Sequence, residues 1–427
     1  RQAALQKLRN GDIQIIFSVD LYNEGIDIPT VDTLLLLRPT ESGTLFLQQL
    51  GRGLRKSYGK SMCTVLDFVG QHRKEFRFDH RLRALIGGTR KQITEQVQLG
   101  FPYLPAGCHM ELDAVVKERI LSSLKNAIAG NFNQRVTELQ NMVALGIKPT
   151  IKNFLEHTGL VLTDIYSSNR CWSDFLDAAN LSTNESGPKE KILRRAVGRM
   201  LHVDDEERLK LYSEILDSSE PPAVNAINNR RARLIRMLVA SLMTLDTITR
   251  TDNLEAGLKV LWNHPQVRME LREVFSMLRG SIDHLHYSLS SHNNTPLQVH
   301  AKYSRIEILA ACGPDDNALT PNWREGVKWI EGEKADLLAF TLDKSSGGFS
   351  PTTSYRDYAI SSNLIHWESQ SNTRADSPTG KRYQNHVAGG SSIFLFAREN
   401  TDERAYWFLG PATFVKYQSE RPMGITW

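Results

Sequence analysis

The sequence has 427 residues, 41% apolar and 23% charged, an ordinary composition for folded protein that sets about two to four domains and supplies each with a core. A formal net charge of +4 is too small to argue polyanion binding by the whole chain, and no apolar run approaches the ~18 residues of a membrane span. Four cysteines, Cys63, Cys108, Cys171 and Cys312, lie far apart without CxxC or Cys/His spacing, which argues against a disulfide framework or a zinc site and fits a reducing cytoplasm.

Arg1 already stands in a helical pattern, Gln2 to Leu8, with no starting methionine or cap, so the expectation is a piece of a longer product. Ile13 to Val19 and Val31 to Leu37 are continuous apolar runs bounded by turn residues, the pattern of buried strands in a parallel sheet. After the first run comes an acidic turn, Asp20-Leu-Tyr-Asn-Glu24-Gly25-Ile-Asp27. After the second comes an arginine turn, Gln48-Gln49-Leu-Gly51-Arg52-Gly-Leu-Arg55. Ligands of open α/β sheets bind at such strand ends. Arg52 and Arg55, three apart on a helical turn, would project from one face and grip a polyanion together, with Gly51 allowing close backbone approach. A planar guanidinium that is always charged can follow phosphate oxygens as negative charge builds in a transition state.

The two turns together resemble motifs V and VI of the second RecA-like lobe of superfamily 2 helicases and translocases, Ser18 to Asp27 the former and Gln48 to Arg55, QxxGRxxR, the latter. The resemblance implies that Arg52 and Arg55 act as arginine fingers on the γ-phosphate of ATP held by another lobe, with Gln48 positioning them. It implies that Asp20, Gly25 and Asp27 couple nucleotide to track, and that Thr40 and Ser42 touch track phosphates. ATP and Mg2+ would be bound mainly by the other lobe, whose GxxxxGK[ST] loop and DExH turn are not in this sequence. These residues alone are therefore expected to hold no cofactor and to hydrolyse no ATP. Gly59-Lys60-Ser61 follows Gly53 at the wrong spacing for a phosphate loop and reads as the turn into a strand, Met62 to Val69. Asp204 to Glu207 reads as a helix N-terminus.

Arg52 to Arg90 carries a local basic excess, read either as a phosphate-tracking face or as a solvated one. Phe101 to Gly107 is a linker, and helical stripes follow at Leu112, Val115, Val116, Ile120 and Leu124, then at Leu139, Met142, Val143 and Leu145. Short helices Ile151 to His157 and Ser173 to Ala179, broken at Gly159 and Ser167 to Asn169, suggest either a helix-turn-helix or simple bundle packing. Lys189 to Met200 and Asn229 to Leu242 read as amphipathic helices whose Arg194, Arg195, Arg199, Arg230, Arg231 and Arg233 face phosphates or solvent.

Beyond Ser288 to Pro296 the chain turns β-rich, with strands at Leu337 to Leu342, Ile360 to Glu368, Ser392 to Ala397, Tyr406 to Gly410 and Thr413 to Tyr417. The segments Pro296 to Arg305, His366 to Gln370 and Tyr383 to His386 resemble the uncharacterised domain that closes many bacterial superfamily 2 helicases. Alternate residues His366, Glu368 and Gln370 share a strand face and, with His386, make a candidate recognition face under a loop, Asn372 to Arg382; no metal is assigned there.

The expected fold is therefore multidomain: a partial RecA-like parallel lobe at 1–100, a helical region at 101–290 and a β-rich domain at 295–427. The function the resemblance implies is the C-terminal portion of an ATP-dependent DNA helicase or translocase, partnered by nucleic acid and by a motor lobe on the same or another chain, and not by membrane. Two rivals stand beside it. One is a non-catalytic nucleic-acid-binding module. The other is a helicase-linked restriction or defence nuclease with cleavage in the β-rich domain, faintly suggested by Asp336, Asp343 and Lys344, although adjacent Asp343 and Lys344 point to opposite strand faces.

Overall fold

The computed structural model describes residues 2–17, 28–37, 40, 43–68, 78–128, 131–181, 187–223, 229–243, 254–312, 323, 326–343, 357–370, 373–419 and 422–427. Asp20, Gly25, Asp27, Ser42 and Lys344 lie outside these. The chain divides into two compact units, residues 1–149 with 153–161 and residues 150–152 with 162–427.

The first unit runs α1 (Gln2–Asn10), β1 (Thr33–Leu36), α2 (Gly43–Gly53), β2 (Thr64–Asp67), α3 (Phe78–Ile86), α4 (Arg90–Leu99), α5 (Ala114–Ile128) and α6 (Phe132–Ala144), with α7 (Ile151–Thr158) straddling the division. β1 and β2 pair in parallel, Leu34 opposite Val65, as a βαβ connection through α2 requires. The pair is half-exposed rather than buried on both faces, with Leu35 at 41% and Leu66 at 47% exposure. Ile13 to Phe17 forms no strand, and Phe17 is 74% exposed, because this apolar run has no ladder partner among the described residues. The apolar core lies instead between α3, α4 and α5, where Leu82, Ile93, Val97, Phe101, Ile120 and Leu124 are buried together. Thr89 and Gln92 form a capping box at the start of α4, and Gly100 closes its end in the left-handed conformation. In the helical stripes, Val115 and Leu145 turn outward.

Within the basic stretch Arg55 and Lys56 are exposed, but Arg81, Arg83 and Arg90 are not a solvated face. Arg81 is buried, ion-paired to Asp67 at the end of β2 and stacked 4.3 Å over the ring of Phe46. Arg83 donates to the carbonyls of Glu156 at 2.6 Å and His157 at 3.1 Å, supplying donors to the last turn of α7.

The second unit continues with α8 (Leu162–Ile165), α9 (Trp172–Ala178), α10 (Glu190–Val197), α11 (Glu206–Asp217), α12 (Arg230–Met243), α13 (Leu254–Trp262) and α14 (Pro265–Arg279). Ser168 and Asn169 adopt φ of 56° and 57° in the break before α9. α9 is no exposed reading helix: Trp172, Ser173, Phe175 and Leu176 are buried, and the buried carboxylate of Glu270 accepts from the backbone N–H groups of Trp172 and Ser173, each at 2.9 Å. α12 is buried at every position from Ala232 to Met243, so its pattern is that of a central helix and not an amphipathic one. Two of its arginines are paired within the fold, Arg230 with Glu207 and Arg233 with Glu333 at 2.6 Å.

The remaining elements are β3 (Tyr287–Ser288), β4 (Gln298–Val299), β5 (Lys302–Ser304), α15 (Arg305–Ala311), β6 (Val327–Ile330), β7 (Ala335–Thr341), β8 (Tyr358–Ala359), β9 (Ile365–Glu368), α16 (Pro378–Gln384), β10 (Ser392–Arg398), β11 (Ala405–Ala412), β12 (Lys416–Gln418) and β13 (Gly424–Thr426). A five-stranded mixed sheet has the order β5-β11-β10-β7-β6, parallel only between β10 and β7; an antiparallel sheet has the order β12-β13-β9-β8. The apolar cluster of Leu338, Phe340, Trp367, Tyr383, Ile425 and Trp427 joins residues of both sheets and of α16. Three sequence expectations fail locally, the first being the strand at 413–417, which is coil until Lys416. Residues 360–364 form a turn between β8 and β9, and 378–382 belong to α16, N-capped by Ser377, rather than to a covering loop. Arg382 on that helix clamps Asp336 bidentately at 2.7 and 2.8 Å, so Asp336 neutralises an arginine and is not presented to a metal.

Candidate functional site

In the first unit, Phe46 and Leu50 bury one face of α2 and leave Gln48 and Gly51 exposed, with Arg52 half-buried. Gln48 and Arg52 are thus one turn apart on the open side. The helix ends at Gly53, so Arg55 stands beyond it in coil, exposed, and the two arginines do not share a helical face as their spacing suggested. The break has a physical cause. The Lys60 ammonium donates to the carbonyls of Gly53, of Arg55 at 3.0 Å and of Pro29 at 3.3 Å, taking carbonyls at the helix end and fastening them to the loop before β1. Gly53, not Gly51, meets tight packing: a Cβ there would lie 2.4 Å from Cys63 Sγ and 2.9 Å from Leu34 Cδ1, whereas one on Gly51 would have nothing within 4 Å. Gly59, at φ 79°, makes the turn that brings Lys60 back, and no phosphate loop exists there. Thr40 is half-buried in coil after β1. Lys60 was missed in the sequence because its three partners are backbone carbonyls, which leave no mark in a motif.

The second unit contains a separate basic site. Arg170, Arg195, Arg199 and Arg404 line a cavity of about 400 Å³ with Tyr166 and Asn169, and no acidic side chain is among its described lining residues. Burial, together with the charge of Arg404, lowers the pKa of Arg199, the mark of cations held close in a partly dry pocket. Arg194, one residue from Arg195, is different: Asp177, Glu190 and Asp174 surround it, the latter two at 3.1 and 3.5 Å. Guanidinium groups converging on a cavity whose described lining holds no carboxylate can receive phosphate or carboxylate oxygens. Of the arginines singled out in the sequence, Arg195 and Arg199 thus reach one site, while Arg194, Arg230 and Arg233 do not, and Arg231 pairs with Glu214 at 3.2 Å on the surface.

His366, Glu368 and Gln370 are half-buried on and just after β9, and His366 stacks on Tyr358 at 4.9 Å. His386 is buried and both its ring nitrogens serve the backbone, Nδ1 facing the Ser391 carbonyl at 3.2 Å and Nε2 accepting from the Phe414 N–H at 3.1 Å. It packs 5.9 Å from Trp427. Its nitrogens are therefore committed to the fold.

Residues 1–57 match the helicase conserved C-terminal domain, and residues 297–425 match a domain of unknown function, DUF3427. The chain is 40% identical over 70 residues to IRC3 of Saccharomyces cerevisiae, named for an ATP-dependent helicase, a stretch equal to 16% of this chain and 10% of that protein. It is 29% identical over 83 residues to DNA 3'-5' translocase XPB2 of Sulfurisphaera tokodaii, 19% of this chain and 18% of that protein. It is also 29% identical over 86 residues to UvrABC system protein B of Prochlorococcus marinus, 19% of this chain and 13% of that protein. The matched stretches span less than a fifth of each of these relatives. The chain therefore carries a helicase conserved C-terminal domain of the superfamily 2 type at residues 1–57 and a DUF3427 domain at residues 297–425.

Proposed function

We propose that this chain is the C-terminal portion of an ATP-dependent superfamily 2 DNA helicase or translocase, and that Arg52 and Arg55 are its arginine fingers. The observation that carries the reading is the helicase-domain match over 1–57, which contains Gln48, Gly51, Arg52 and Arg55 on the open side of α2 and just beyond it. An exposed Arg55, a half-buried Arg52 and an unobstructed Gly51 suit the γ-phosphate end of a nucleotide, whereas the described residues offer no phosphate loop for its other end. Mg2+-ATP, when bound, supplies the phosphoryl-transfer chemistry. The part of this chain is to place guanidinium charge where negative charge develops, with Gln48 and Lys60 holding the turn. Asp20, Gly25 and Asp27 couple this to the track, and Thr40 and Ser42 contact it.

The arginine cavity of the second unit favours a second component of the same reading, contact with the nucleic-acid backbone outside the motor. It is also what a purely binding module would carry. ATP hydrolysis separates the two. The chain alone should hydrolyse none. Joined to a lobe bearing GxxxxGK[ST] and DExH, sought in the reading frame upstream of Arg1 or in a partner protein, it should hydrolyse ATP in a DNA-stimulated way. Absence of any such lobe, with DNA binding intact, would leave the binding module as the better description.

A further inference from the structure

Asp204 lies just before α11, and its two carboxylate oxygens meet different surroundings. Oδ1 accepts from the Lys302 N–H at 2.9 Å and lies 3.4 Å from Arg208 Nη2. Oδ2 is buried with no hydrogen-bond partner and stands 3.6 Å from Nε2 of His284. An orphaned carboxylate oxygen in a protein interior is costly unless something cationic meets it.

His284 turns that same Nε2 toward Nε2 of His286, 3.0 Å away, and toward the carbonyl oxygen of His300, 3.1 Å away. Its Nδ1 faces Asp283 Oδ1 at 2.8 Å. Protons are too few for this arrangement. If the imidazole proton of His284 sits on Nδ1 and donates to Asp283, Nε2 is a lone pair that faces two oxygens and a second imidazole nitrogen. A cation among these atoms removes the conflict. A tetrahedral ion with bonds of about 2.0–2.1 Å holds its ligand atoms roughly 3.3 Å apart, and the observed separations of 3.0, 3.1 and 3.6 Å fall around that value. Ligand atoms of Asp204, His284 and His286 all lie within 4.8 Å of one another. The Asp283 carboxylate on the far nitrogen of His284 is the outer partner that a metal-bound imidazole ordinarily has, fixing its tautomer and raising its basicity. An open cavity of about 620 Å³, lined by Asp283, His284, His300 and Trp407, gives an ion a path in.

We propose that Asp204, His284 and His286 bind a divalent transition-metal ion of the zinc class, with the His300 carbonyl oxygen as fourth ligand. Two imidazoles select against magnesium and calcium, which prefer oxygen alone. Four protein ligands make the site structural, a staple that ties the entry to α11 to the segments around β3 and β4.

The competing occupant is a proton, giving an imidazolium between Asp283 and Asp204. Metal content decides between them. The full chain, produced without a histidine tag in zinc-supplemented medium and passed through metal-free buffer, should retain one equivalent of zinc by mass spectrometry. His284→Ala and His286→Ala should each retain almost none, while Cys63→Ser and Cys108→Ser retain it in full. Should the histidine variants fail to fold, the wild-type chain stripped with phenanthroline and given cobalt(II) should show visible ligand-field bands and regain its thermal midpoint with zinc but not with magnesium. Stripped wild-type chain that takes up neither zinc nor cobalt, or a His286→Ala variant that keeps its zinc, would overturn the proposal in favour of the proton.

Discussion

Lys60 donates from its ammonium to the carbonyl oxygen of Arg55 at 3.0 Å, and through the same nitrogen holds Gly53 at the end of α2 and Pro29 before β1. A turn residue without chemistry of its own thus fixes where the second arginine of the QxxGRxxR turn begins. Lys60→Met should release three carbonyls and lower the stability of the first unit by about 1–2 kcal/mol. In an intact motor it should reduce ATP turnover more than ATP affinity, with Lys60→Arg restoring part of the loss. Unchanged turnover in Lys60→Met would remove Lys60 from the positioning of the turn.

The two glycines of the arginine turn should respond oppositely to alanine. Gly53→Ala places a methyl against Cys63 and Leu34 and should cost about 1–3 kcal/mol in urea unfolding. Gly51→Ala meets open space inside a helix and should stabilise by up to about 1 kcal/mol. If backbone approach to a nucleotide matters at Gly51, that more stable variant should still lose turnover. Equal stability changes at both positions would show that the packing around Gly53 is looser than the structure gives.

Acid should unfold the second unit through its buried carboxylates. Burial opposes ionisation of Glu307, but His202 and Arg208, the latter 2.7 Å away, outweigh it and hold the carboxyl at about 2 rather than 4.5. Glu333 is likewise brought to about 2 against its burial by His292 and Arg233. A depressed folded-state pKa gives stability that is complete above the unfolded value near 4.5 and is lost as pH falls toward 2. Urea midpoints should therefore drop steeply across that window. Glu307→Gln should flatten the drop and, by removing one of the three carboxylates that meet buried Arg208 while Asp204 and Asp205 remain, cost about 1–3 kcal/mol near neutral pH. A midpoint independent of pH down to about 2 would contradict this assignment.

The arginine cavity should report itself in salt dependence. Arg195→Ala and Arg404→Ala should each weaken binding of labelled DNA without regard to sequence, and each should reduce the slope of log affinity against log salt by about one. Arg194→Ala, whose charge is already compensated, should leave the slope unchanged while costing stability. The idea fails if all three variants behave alike.

What could be read from the sequence was local. The turn at Gly59, the strand at 64–67, the helices after the 101–107 linker, the acidic start of α11 and the breaks at Ser168 and Asn169 follow from glycine, capping and apolar spacing within a few residues. The misreadings are tertiary. Residues 13–17 have strand composition but no strand to pair with among the described residues, and α12 carries arginines that look solvent-facing until Glu207 and Glu333 are brought to them from distant segments. The fold also assembles Asp204 with His284 and His286 across eighty residues, a spacing no ligand motif encodes. Arg52 and Arg55 could be picked out because they stand three apart in sequence, and the lysine that shapes their turn could not.

The central claim is that Arg52 and Arg55 act on the γ-phosphate. Its most direct test is DNA-stimulated ATP hydrolysis by protein in which this chain is joined to an ATP-binding lobe, comparing wild type with Arg52→Ala and Arg55→Ala. Loss of turnover by about 10³ to 10⁵ with nucleotide affinity largely kept is the predicted result. Turnover that survives both substitutions would contradict the claim and leave the arginine turn as part of a binding surface.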